Sequence, residues 1–76
     1  MTNWNQEARR ILRAELARKD VGYKKLSILL AQIDVIETPS AITNKLSRGS
    51  FSFAFFLQCM KALDRVTIEI DLRNIA

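Results

Sequence analysis

Along this chain the apolar positions repeat first with the period of a helix and, near the end, with the period of a strand. Trp4, Ala8, Ile11, Leu12 and Leu16 recur at i, i+4, i+7, i+8 and i+12, a single stripe that predicts a first helix over about residues 4–19. Asn3 stands at the capping position, with Gln6 three residues later as a capping box requires. Arg9, Arg10, Arg13 and Arg18 fall away from the stripe and read as a solvated face. Gly22 then breaks the pattern, and Leu26, Leu29, Leu30 and Ile33 define a second helix over about residues 23–33. Lys24 and Lys25 lie in its first turn. Cations there oppose the helix dipole unless an anion such as a phosphate compensates them.

The stretch DVIETPSAITNKLSRG reads as a turn and a third helix over 39–48, with Thr38 as cap, Pro39 at the first helical position and Gly49 as the stop. Only Ile42 and Leu46 are strongly apolar in it, so the helix is anchored by one narrow edge and exposes Ser40, Thr43, Asn44, Lys45 and Ser47. Ser52 caps a fourth helix over about 53–63. Phe53, Phe56, Leu57, Met60 and Leu63 form one stripe of it and Phe55, Cys59 and Ala62 a second beside it, which predicts the central helix of the core. After Asp64, Val66, Ile68, Ile70 and Leu72 alternate with Thr67, Glu69, Asp71 and Arg73, a half-buried strand over about 66–72. A lone strand has no partner within one chain, so the expectation is antiparallel pairing with the same strand of a second copy, these four apolar residues forming the dimer interface. The fold class expected is mainly α, with four to five helices and one C-terminal strand, in a single domain spanning 1–76.

Length and composition narrow the function. A chain of 76 residues buries only about 60–65% of the surface that its unfolded form exposes, close to the minimum for independent folding. One cysteine excludes an internal disulfide, and no apolar run is long enough for a membrane span or a signal peptide, so a reducing cytoplasm is the expected setting. With no histidine, two glycines and scattered acids, the chain offers no metal site, no nucleophile and base, and no phosphate-cradling loop; neither an enzyme nor a cofactor is expected. The charge is uneven. Residues 9–48 hold nine Lys/Arg against four acids, whereas 49–76 balance three against three. An anionic partner fits the first segment.

Four short helices, a polar third helix ending at Ser-Arg-Gly and an apolar fourth ending KALD resemble the lambda-repressor-like, or Xre-type, helix-turn-helix fold over about residues 7–64. Within that superfamily, GYKKLSILL, NKLSRGSFSFAFFLQCMKAL and the early Trp4 resemble an uncharacterised bacterial family of very small domains, whose pattern has a Tyr opening the second helix and an Asn-Lys-(apolar)-Ser-Arg-Gly-x-Phe core. Against the wider fold, Gly22 replaces a small hydroxyl cap, Ser27 replaces an alanine, and the turn before the third helix is longer.

The resemblance implies that Tyr23, Lys24 and Lys25 touch the DNA backbone, that Ser40, Thr43 and Asn44 meet base edges in the major groove, and that Lys45 and Arg48 hold flanking phosphates. The function expected is a dimeric, sequence-specific double-stranded DNA-binding protein, a small transcriptional regulator. The alternative is a protein-interaction module, antitoxin-like or defective in DNA binding, that adds its C-terminal strand to a partner's sheet. RNA binding ranks third, because Tyr23 alone interleaves an aromatic ring with the basic residues.

Overall fold

The computed structural model describes residues 2–73 and 75, and arranges them as four helices: α1 (Trp4–Arg18), α2 (Tyr23–Ala31), α3 (Pro39–Arg48) and α4 (Phe53–Ala62). Each begins where a side chain or backbone can take up the free amides of the first turn. Asn3 Oδ1 accepts from the Gln6 amide at 3.1 Å, Thr38 Oγ1 from Ala41 at 3.0 Å and Ser52 Oγ from Phe55 at 3.0 Å. Gly22 caps α2 with no side chain to offer. Its φ of −84° suits any residue, and an added Cβ would meet nothing within 4 Å. Gly22→Ser is therefore expected to gain a few tenths of a kcal/mol, which thermal unfolding followed by circular dichroism checks.

The helix ends share one device. Asp20, Asp34 and Asp64 follow α1, α2 and α4 with φ of 55°, 63° and 57°. At each, the amide of the next residue turns back onto the helix: Val21 to Leu16 O at 3.0 Å, Val35 to Leu30 O at 3.0 Å, Arg65 to Met60 O at 2.9 Å. These are Schellman closures with aspartate in the left-handed position, which a short polar side chain tolerates better than most. Val21 and Val35 then pack against the core and complete the stop with an apolar contact. The α1 stop is consequently made at Asp20, two residues before the glycine expected to break it. Gly49, with φ of 66°, closes α3 as expected.

α2 packs against α3 and α4, and α1 packs against α3. The core they enclose is built from Leu12 and Leu16 of α1, Leu26 and Leu30 of α2, Ile42 and Leu46 of α3, and Phe55, Phe56, Cys59 and Met60 of α4, with Leu63 behind them. α4 is the most deeply set helix by residue count, but its apolar circumference is divided. Phe53 is 68% exposed, and Leu57 is also exposed; Trp4, the expected start of the α1 stripe, is 60% exposed. Phe53 stacks on Phe56 at 6.1 Å and Phe51 meets Phe55 edge-on at 5.9 Å. Burial, followed by the charge of Glu37, pushes the Cys59 thiol up to about 12, so it behaves as an apolar core residue.

The expected C-terminal strand does not form. Among the described residues there is no strand, and the segment 66–72 runs as irregular chain after α4. Val66 is 92% exposed, Ile70 and Leu72 are about half exposed, and only Ile68 of the four packs against the core. The alternation VTIEIDL specifies one apolar side, and laying that side partly on the helices satisfies it without a second strand. The segment's end also prefers local bonds. The Arg73 amide donates to Asp71 Oδ1 at 3.0 Å, the Arg73 guanidinium pairs with the same carboxylate, and the Ile75 amide turns back to Leu72 O at 3.2 Å. The Arg73 guanidinium and amide together hold the Asp71 carboxyl below its ordinary range. The strand-paired dimer interface of Val66, Ile68, Ile70 and Leu72 falls with the strand.

Candidate nucleic-acid interface

α3 is held to the core by Ile42 and Leu46, both fully buried, and Ser40, Thr43, Asn44, Ser47 and Arg48 form its exposed polar side. Ser40, Thr43 and Asn44 are all exposed on that face, as the sequence reading requires. Their chemistry differs. Thr43 Oγ1 donates to Pro39 O at 2.9 Å, which commits its proton to the helix and leaves the oxygen only as an acceptor for other groups. Ser47 Oγ likewise donates to Asn44 O at 3.0 Å. The Asn44 side-chain amide makes no hydrogen bond to a described residue, so both its donor and its acceptor face solvent. Asn44, Ser47 and Arg48 border one shallow polar concavity.

The cations sort into two groups. Lys24, Lys25 and Arg48 are exposed and form no ion pair with a described residue. Lys45 is different: its Nζ lies 3.5 Å from Glu37 Oε1 and 5.3 Å from the Phe55 ring centroid. Glu37 belongs to the turn before α3, and its carbonyl accepts the Ser27 hydroxyl of α2. Ser27 and Lys45 thus pin the long turn from both flanking helices, and Val35 packs inward while Ile36, 82% exposed, projects outward. Lys45 is therefore a turn anchor first. Tyr23 is half-buried and packs against the core.

α1 contributes to this face from the other end. Arg9 donates through a guanidinium nitrogen to Ser47 O at 3.0 Å, placing a cation on the carbonyl end of α3. The sequence reading missed that contact, because the two residues lie 38 positions apart and Arg9 looks like any solvated arginine. It also missed Glu37 as the partner of Lys45; an acid in the turn and a base on α3 were the available signal. Among the described residues no cluster of His, Cys, Asp and Glu is placed to hold a metal ion, and no helix is long and apolar enough to cross a membrane.

The four helices and their polar third helix define a small all-helical domain. Residues 4–68 match the family described as "Domain of unknown function (DUF6471)", and the chain belongs to that family. It matches no curated protein and no solved structure.

Proposed function

We propose that the domain binds double-stranded DNA in a sequence-specific manner, with α2, the pinned turn and α3 working as a helix-turn-helix unit of a transcriptional regulator. The observation that carries this reading is the outer face of α3: an Asn44 amide and an Arg48 guanidinium, both exposed and without a partner among the described residues, on a helix whose only fully buried side chains are Ile42 and Leu46. An asparagine amide can bond bidentately to the adenine edge in the major groove. Ser40 and Thr43 lie about one turn and one residue away, and a threonine methyl can meet a thymine. Lys24 and Lys25 at the start of α2 and Arg48 at the end of α3 supply phosphate contacts, while Lys45 holds the turn that sets the tilt of α3.

Selection of the purified protein on random duplexes, repeated at two salt concentrations, tests the reading. One enriched motif is expected, with affinity falling steeply as salt rises. At that motif Asn44→Ala is expected to cost about 1–3 kcal/mol while leaving nonspecific binding nearly unchanged. An equal loss on every duplex would remove Asn44 from base readout. No enriched motif would remove the function itself.

A second reading, a protein-interaction module, is favoured by the more than half exposed Trp4 and by an apolar groove that the equally exposed Phe53 lines with Ala8, Ile11, Phe51 and Phe56. Light scattering beside the duplex selection tests it: that reading expects self-association that Phe53→Ser abolishes, with no duplex motif enriched.

A further inference from the structure

We propose that the phosphate-binding surface continues from α3 onto α1, with Arg13 as a phosphate contact that follows Arg48 along the same strand of a duplex; the proposal rests on the DNA-binding reading. α1 and α3 are locked end to side at this point. Gly49, directly after α3, lies against the backbone of Asn5, and Arg9 reaches across to Ser47 O. The outer face of α3 at Asn44, Ser47 and Arg48 therefore runs directly onto the face of α1 that carries Arg9.

Arg13 is four residues beyond Arg9, on the same face and about 6 Å further along the helix axis. Gln6, Glu7, Arg9, Arg10 and Arg13 border one concavity on α1. The acid in it is already engaged, since Glu7 Oε1 accepts from Arg10 Nε at 2.9 Å. Arg9 is spent on a carbonyl. Arg13 remains exposed and forms no ion pair with a described residue. Two guanidinium groups with no ion pair among the described residues, Arg48 and Arg13, thus flank an Arg9 that is fixed in place. Guanidinium is the side-chain group best shaped for a phosphate, giving two parallel bonds where ammonium gives a point contact. A solvated face would need none of the clamping to α3.

The test is the salt dependence of binding to the selected duplex, with Lys61 on α4 as a cation outside the track. Arg13→Ala is expected to lower the slope of log K against log salt by about 0.9, as one lost phosphate contact does. Arg13→Lys is expected to restore most of it, the enriched motif is expected to stay the same, and Lys61→Ala is expected to leave the slope at the wild-type value. A wild-type slope for Arg13→Ala, with Arg48→Ala still lowering it, overturns the extension onto α1 while the DNA-binding reading stands. Equal losses for Arg13→Ala and Lys61→Ala also overturn it, since net charge alone then explains the effect. Failure of the wild-type protein to bind any duplex overturns both.

Discussion

Gly49→Ala is expected to lower the stability of the domain by about 2–4 kcal/mol, read as a fall in the urea midpoint. Two costs add. The residue sits at φ of 66°, where an L side chain costs roughly 1–2 kcal/mol. An alanine Cβ would also fall on the carbonyl oxygen of Asn5 and 2.7 Å from its carbonyl carbon. The obstacle is backbone in the first turn of α1, so no flexible side chain can swing away. Either α3 loses its closure, where Gly49 N donates to Lys45 O at 3.0 Å, or α1 shifts and draws Arg9 off Ser47. Ser50→Ala, at an exposed neighbouring position, is the control and should stay within about 0.5 kcal/mol of wild type. A cost under about 1 kcal/mol for Gly49→Ala would mean that α1 does not abut α3 here.

That glycine shows what kind of information the sequence carries. Its role as a helix stop is local, and Arg48-Gly49 after an apolar i,i+4 pair announces it. Its tight approach to Asn5 is not local, because nothing in a sequence says which backbone lies opposite a glycine. The same division runs through the fold. All four helices and the caps Asn3, Thr38 and Ser52 follow from short-range patterns, with ends one or two residues inside the expected ones for α1, α2 and α4. The stops of α1 and α2 were unread because they use aspartate in a glycine's conformation; the clue was Asp-Val after both helices, where the valine supplies the closing apolar contact. The strand failed for a thermodynamic reason. Alternation specifies a one-sided apolar surface, but a strand also needs a neighbour's backbone, and the helices supply side chains alone.

At the candidate interface, exposure of Ser40, Thr43, Asn44, Lys24, Lys25 and Arg48 was legible, because the few apolar residues of α2 and α3 fix which faces turn inward. Which of these side chains remain free to bind was not. Lys45 and Arg48 look equivalent in the sequence, yet one is engaged by Glu37 and the Phe55 ring while the other has no partner among the described residues. Competition from intramolecular partners depends on three-dimensional neighbours, and it gives Lys45 contacts within the domain that Arg48 lacks among the described residues.

Glu15 was the least legible residue, and removing it has the second large effect. It lies on the α1 stripe itself, four residues from Ile11 and three from Leu12, where an acid is out of place. The side chain is 3% exposed. Arg18 bonds Oε1 at 3.0 Å from within the helix, and Arg65, the first residue beyond the α4 stop, brings its Nε to 2.9 Å from Oε2. That second contact is close but poorly aligned as a hydrogen bond, so charge is what joins the two groups. Glu15→Ala would leave the buried Arg65 Nε without a counter-charge, and the expected cost is about 2–4 kcal/mol. The effect should reach beyond stability. Arg65 begins the irregular segment, and Ile68 is the next residue of it that packs on the core. Without the ion pair, limited proteolysis is expected to cut within 66–72 faster than in the wild type. Glu15→Leu combined with Arg65→Met is expected to recover most of the loss, because an apolar pair of similar size avoids the desolvation that the ions pay. A double variant no more stable than Glu15→Ala would show that the position needs charge as such. A cost below about 0.5 kcal/mol for Glu15→Ala would place the pair with solvent-screened surface bridges, and the C-terminal segment would then be held by apolar contacts such as that of Ile68.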